Sequence, residues 1–303
     1  MDLLRDRARP GRRALLTAGA AAALTVAAAS SGTAQAAPRS SRTTGRLREL
    51  EREHGARLGV FAYDTGTHRM VAYRQGERFP MCSLFKPLAA AAVLRDLDRD
   101  GEFLARRIPY GVEDLEPGWS PVTKDHVGAG LTVEELCDAA IRHSDNTAAN
   151  LLLRELGGPT AVTRFCRSAG DGVTRLDRWE PELNSAEPWR ETDTTTPYAV
   201  ARTYGRLVLG GLLEPRDRER LTGWLLGNTT STERFRKGLP ADWVLGDKTG
   251  GGSYGTNNDA GVTWPPGRPP IVLAVLTTKP EPAALPDNPL VAGAARIVAD
   301  ALG

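Results

Sequence analysis

A mixed α-β fold of two lobes is predicted by three observations: strand-like apolar runs near both ends of the 303-residue chain, helix after helix between them, and no internal repeat. Arg42 to His54 reads as a helix. The runs Leu58–Tyr63 and Met70–Arg74 follow as strands, separated by the turn residues Asp64-Thr65-Gly66. From Ser83 to about Gly227 the pattern is helical. Alanine and leucine dominate Leu88–Leu97, and further helices are expected over Thr132–His143, Asn146–Leu156, Thr160–Ser168, Pro197–Gly210 and Asp217–Leu226. Three strand-like runs then follow, Val244–Lys248, Asp259–Trp264 and Ile271–Thr278, with the Pro-rich stretch Trp264–Pro270 as a hairpin connection. A last helix is expected near Leu290–Ala301. Strands from the two chain ends should form one five-stranded antiparallel sheet covered by the terminal helices. The sheet lobe then spans about 42–80 and 228–303, and the inserted all-helical lobe about 81–227.

Gly11-Arg12-Arg13-Ala14-Leu15-Leu16 opens an apolar run through Ala29, and Ala34-Gln35-Ala36 is a small-residue cleavage site before Ala37. This pattern predicts a signal peptide over residues 1–36, and hence a secreted protein. The paired arginines point to the twin-arginine route, with ordinary secretion as the alternative. No cysteine precedes Cys82, so no lipid anchor is expected. The catalytic domain would be 37–303, long enough for one large core or two packed lobes, and a monomer is expected.

Net charge is only +2 and there is no basic stripe, so nucleic-acid binding has no support. The four histidines, His54, His68, His126 and His143, lack metal-ligand spacing, so neither a metal nor another cofactor is expected. Three cysteines, Cys82, Cys137 and Cys166, leave at least one unpaired.

Chemistry concentrates in three short motifs: Ser83-Leu84-Phe85-Lys86, Ser144-Asp145-Asn146 and Lys248-Thr249-Gly250. A serine hydroxyl is a weak nucleophile, needing a base within reach and donors aimed at the developing oxyanion. Ser83 and Lys86 are three residues apart, on one face of a helix. The Ser83 end should be a helix N-terminus, whose free N–H groups favour negative charge. Lys86 must be desolvated or near another cation to act as a base, and Lys248 is a candidate for that cation. Ser-x-x-Lys alone is a weak signal, equally an exposed helix turn. The chain has only five lysines, however, and two fall in these motifs; lysine, unlike arginine, can be tuned into a base. Pro87 lacks the N–H that would bond the Ser83 carbonyl, so a distorted first turn is expected.

The surrounding residues extend the match. With Trp119-Ser120-Pro121-Val122-Thr123, Asn146-Thr147-Ala148-Ala149-Asn150-Leu151-Leu152, Arg178-Trp179-Glu180-Pro181-Glu182-Leu183-Asn184 and Asp193-Thr194-Thr195-Thr196-Pro197, the chain from about His54 onward resembles the class A serine β-lactamases. The resemblance implies the two-lobed β-lactamase/DD-peptidase-like fold, hydrolysis of penicillin- or cephalosporin-type β-lactams as small-molecule substrates, and antibiotic resistance. It implies that Ser83 is the nucleophile and Lys86 its neighbouring base. Ser144 would carry a proton to the β-lactam nitrogen, polarised by Lys248. Asn146 would bond the substrate's acylamide side chain. Lys248 and Thr249 would hold the substrate carboxylate, with Arg234 as a second carboxylate-binding arginine. The N–H groups of Ser83 and Gly251 would form the oxyanion hole, Gly250 and Gly252 would keep the edge strand free of side chains, and Trp119 would wall the cleft.

Glu180 and Asn184 fall on a segment that resembles the family's Ω-loop, with Arg178 and Asp193 closing it as an ion pair. A carboxylate there would activate the water that hydrolyses the acyl-enzyme, with Asn184 as second anchor. This feature separates hydrolysis from two alternatives, a D-alanyl-D-alanine carboxypeptidase and a β-lactam receptor that acylates and stops. Whether Lys86 or Glu180 is the acylation base stays open. Carbapenem-hydrolysing relatives pair a cysteine at the place of Cys82 with one where this chain has Gly252, so that bond cannot form. Cys137 falls at a family disulfide position whose partner place holds Ala90, so it is expected buried and free.

Overall fold

The structure, a computed structural model, describes residues 39–303, and the expected signal peptide lies outside them. Its centre is a five-stranded antiparallel sheet of β1 (Arg57–Asp64), β2 (Met70–Tyr73), β3 (Val244–Gly252), β4 (Thr256–Trp264) and β5 (Ile271–Thr278), in the order β2-β1-β5-β4-β3. The strands from the two chain ends meet where β1 pairs with β5, Val60 opposite Val275 and Phe61 opposite Ala274.

The period-two alternation of side chains divides this sheet into two buried faces. Leu58, Val60 and Ala62 of β1, with Leu273 and Val275 of β5, join one core with the terminal helices α1 (Arg39–Glu53) and α8 (Asn288–Leu302). Phe61, Val272, Ala274 and Leu276 point into the other core, shared with the helical lobe. Both faces being covered is why β5 reads as an unbroken apolar run. Each such side chain contributes about 1.5–3 kcal/mol on burial.

The helical lobe is built around α2 (Lys86–Ala92), every residue of which is buried. Around it pack α3 (Val133–Arg142), α4 (Asn146–Glu155), α5 (Thr160–Ser168) and α7 (Pro215–Leu226), while α6 (Pro197–Val208) lies against the sheet. The helices start where local chemistry satisfies their free N–H groups. Thr132 and Glu135 form a reciprocal capping box on α3, Asp145 caps α4, Thr196 caps α6 before Pro197, and Asp287 caps α8.

Two expectations are corrected. The helix expected to run through Leu97 ends at Ala92 and widens into a π-turn over Val93–Leu97, where Asp98 N donates to the Val93 carbonyl at 2.9 Å. The Asp98 carboxylate accepts from Gly101 N and Leu104 N, which fixes the following turn and ends the helix. The strand expected to stop at Lys248 continues through Gly252. Glycine has poor strand propensity, but cross-strand pairing out to Gly252 opposite Thr256 overrides it.

Candidate active site

The departure from a regular first turn expected at Pro87 takes the form of a tightened turn. Cys82–Phe85 form a 3-10 turn, in which Lys86 N donates to the Ser83 carbonyl, so the missing Pro87 N–H leaves no acceptor orphaned. Pro87 sits in the first turn of α2, where no intrahelical N–H bond is lost. A 3-10 turn has three residues per turn, so Ser83 and Lys86 stack directly on one face. Cys82 enters this turn at φ +48°, a left-handed conformation, and the Ser83 hydroxyl is nearly buried.

The Ser83 hydroxyl donates to Glu180 Oε1 at 3.4 Å. The same oxygen pairs with Lys86 Nζ at 3.1 Å, both side chains wholly buried. Lys86 Nζ also donates to Asn146 Oδ1 (2.7 Å), the Ser144 carbonyl (2.7 Å) and Ser144 Oγ (3.3 Å). A buried charge so surrounded is compensated rather than stranded. Burial nevertheless pulls the Lys86 ammonium below its ordinary range, with the Glu180 carboxylate pushing the other way. Asn184 Nδ2 donates to the second carboxylate oxygen of Glu180, and its own buried Oδ1 has no protein donor.

The loop that carries Glu180 is fixed at both ends. Arg178 Nε donates to Asp193 Oδ2 at 2.6 Å, while Asp193 Oδ1 accepts the N–H groups of Asp177 and Arg178. Asp193 is buried, so this pair escapes the screening that weakens exposed ones.

Ser144 stands at φ +59°, a left-handed backbone that costs a non-glycine residue about 1–3 kcal/mol. The bond from its carbonyl to Lys86 and the Asp145 cap that follows hold it there. Its Oγ accepts from Lys248 Nζ at 3.0 Å, so the two lysines converge on one hydroxyl. Burial first, then Lys86 and Arg234, press the Lys248 ammonium well below its ordinary range. Asn146 Oδ1 is taken by Lys86, which leaves its Nδ2 as the donor for another group. Thr249 lies beside Lys248, its Oγ1 at 2.5 Å from Thr230 Oγ1. Arg234 Nη1 donates to the carbonyls of Gly250 (3.1 Å) and Asn258 (2.8 Å), which anchors its guanidinium under the end of β3. Trp119 is 55 % exposed, pinned by its indole N–H to the His143 carbonyl at 2.8 Å.

The β3 glycines differ from expectation. A Cβ on Gly250 would meet the Met81 carbonyl at 2.7 Å, and one on Gly252 the Asn184 carbonyl at 2.7 Å and Cys82 Sγ at 2.9 Å. Both glycines are therefore required for close packing against the nucleophile turn and the Glu180 loop. At Gly251 a Cβ would meet only ordinary contacts, the Thr256 carbonyl at 3.7 Å and Arg234 Nη2 at 4.0 Å.

Residues 42–302 match the model of the β-lactamase enzyme family. A β-lactamase of Streptomyces fradiae is 68 % identical over 302 residues, covering 98 % of this chain and 99 % of that one. The solved β-lactamase of Streptomyces albus G superimposes with a TM-score of 0.85 at 67 % identity, over 86 % of this chain and 100 % of that one. A mutant of the class A β-lactamase of the last common ancestor of Gram-negative bacteria gives a TM-score of 0.81 at 55 % identity, over 86 % of this chain and 98 % of that one. The chain belongs to the class A β-lactamase family. It is a serine β-lactamase, a hydrolase of β-lactams that confers antibiotic resistance.

Several residues of this β-lactamase site escaped sequence reasoning. Asn150 holds the Glu180 main chain from both sides, Nδ2 donating to the Glu180 carbonyl at 2.9 Å and Oδ1 accepting its N–H at 3.0 Å. Its signal was its place four residues after Asn146, on the same face of α4. Asp145 accepts from Val122 N, Thr123 N, Thr123 Oγ1 and Ala148 N, tying the Trp119 segment to the second motif. All three cysteines are free and buried, Cys137 among them as expected. Burial raises the Cys82 and Cys166 thiols, as it does that of Cys137.

Proposed function

We propose that β-lactam hydrolysis proceeds through an acyl-enzyme on Ser83 and is completed by a water activated at Glu180. The observation that carries this reading is the convergence on one carboxylate: Ser83 and Lys86 meet Glu180 Oε1 while Asn184 meets its other oxygen. In acylation, Ser83 Oγ attacks the lactam carbonyl carbon and its proton passes into the Lys86–Glu180 pair. The N–H groups of Ser83 and Gly251 would hold the oxyanion. The C–N bond then breaks, and Ser144, in contact with both lysines, gives its proton to the leaving nitrogen and regains one from Lys86. Lys248 and Thr249, with Arg234 beneath the strand, bind the substrate carboxylate; Asn146 Nδ2 bonds the acylamide and Trp119 walls the cleft.

In deacylation a water attacks the ester carbonyl and loses its proton to Glu180; the ester C–O bond then breaks, and that proton returns through the Lys86–Glu180 pair to Ser83 Oγ. The orphaned Asn184 Oδ1 is the second acceptor such a water needs. A receptor that acylates and stops has no use for this arrangement, which favours the hydrolase over that alternative. We further propose export through the N-terminal segment 1–36 and action as a monomer on the domain 37–303.

Ser83→Ala removes only the nucleophile. The variant should keep the parent's fold, by circular dichroism, and lose turnover of a chromogenic cephalosporin and of benzylpenicillin; rapid hydrolysis by it would overturn the assignment.

A further inference from the structure

Thr249 stands at the end of a line of polar side chains that the reaction itself does not use. Asp247, wholly buried, accepts from Asn228 Nδ2 through Oδ1 at 2.9 Å. A carboxylate oxygen can only accept here, so the amide is oriented with its own oxygen toward Thr230. There Asn228 Oδ1 accepts both Thr230 N (3.1 Å) and Thr230 Oγ1 (2.8 Å), and Thr230 Oγ1 lies 2.5 Å from Thr249 Oγ1. Each of the two threonine hydroxyls has one proton.

We propose that Thr230 is a positioning residue, which orients and polarises the Thr249 hydroxyl toward an anionic group of the substrate at the end of the relay Asp247–Asn228–Thr230–Thr249. This rests on the reading that Thr249 meets the substrate carboxylate. Without an anion, the Thr230 proton points to Asn228 and the Thr249 proton to Thr230. When a carboxylate arrives, both protons turn by one place: Thr230 donates to Thr249, and Thr249 donates to the anion. Asn228 Oδ1 keeps the Thr230 N–H throughout, so the rotation strands no acceptor. A hydroxyl that accepts a hydrogen bond becomes a better donor, so Thr230 strengthens the bond from Thr249 to the carboxylate. Hydrophobic residues at 230 would fill the space but remove this donor.

The test compares kcat and KM for benzylpenicillin and its methyl ester in the parent, Thr230→Val, Thr230→Ala, Thr230→Ser and Thr249→Ala, with a thermal melt for each. Thr230→Val and Thr230→Ala should raise KM for the acid about fivefold, the size of one net hydrogen bond, with kcat nearly unchanged and the ester unaffected. Thr230→Ser, which keeps the hydroxyl, should restore the parent's KM. Equal increases for acid and ester in the hydroxyl-free variants, or no increase while Thr249→Ala still separates acid from ester, would overturn the role of Thr230 and leave the carboxylate site standing. If Thr249→Ala itself fails to separate acid from ester, the carboxylate reading falls and the role of Thr230 with it.

Discussion

In the proposed mechanism the Glu180 carboxylate does the chemistry, and Asn150 fixes where its main chain stands. One amide side chain replaces both hydrogen bonds that a regular backbone would make around this residue. Asn150→Ala leaves the Glu180 N–H and carbonyl without their protein partners, at about 1–3 kcal/mol each where they stay buried. The expected outcome is a lower melting temperature together with deacylation slowed more than acylation, since in the proposed mechanism deacylation uses the water held by this carboxylate, whereas acylation also has Lys86 to take the proton. Pre-steady-state mixing with benzylpenicillin reads this directly: a burst followed by slow turnover is expected, and proportional slowing of both phases would contradict it. The three motifs were legible because their residue types are chemically restrictive. Asn150 was not, because an asparagine on a helix is ordinary until the loop it grips is known. Cys82 and Ser144 were equally illegible as left-handed residues, since a side chain held in glycine-like backbone by tertiary bonds leaves no mark in sequence.

At the scale of elements, β3 and β4 carry an unusual burden between them. Asp247 on β3 and Asp259 on β4 are both wholly buried, and each has one oxygen without a donor. Burial and the neighbouring Asp247 push the Asp259 carboxyl well above its ordinary value, although Arg234 opposes them. Arg236 approaches Asp247 at 3.9 Å, and the Tyr204 hydroxyl feels both carboxyls. The folded chain therefore keeps a proton on Asp259 that the unfolded chain releases near its ordinary pKa. Stability is lost as pH rises from that value toward the folded one, because folding must then take up a proton. Asp259→Asn removes this linkage. Its melting temperature should gain on the parent as pH rises from about 4 to about 8, and a gap independent of pH would contradict the account. The sequence located β5 to the residue, since a strand buried on both faces is a plain apolar run. It cut β3 short because three consecutive glycines look like a turn until the contacts with Met81 and Asn184 explain them.

Across the whole molecule, the sheet lobe supplies Lys248 and Thr249 and the helical lobe supplies Ser83, Lys86, Ser144 and Glu180, so the proposed site lies where the two lobes meet. That architecture followed from strands at both ends of the chain and helices between, while the way the lobes close on one carboxylate depends on long-range contacts no local pattern encodes. The central claim is that this carboxylate, through water, completes hydrolysis. Intact mass spectrometry of Glu180→Ala mixed with benzylpenicillin tests it most directly. Acylation of Ser83 should persist while deacylation falls by at least the ~10²–10⁴-fold of a general base, so a penicilloyl adduct should accumulate. Turnover at the parent's rate with no adduct would contradict the account.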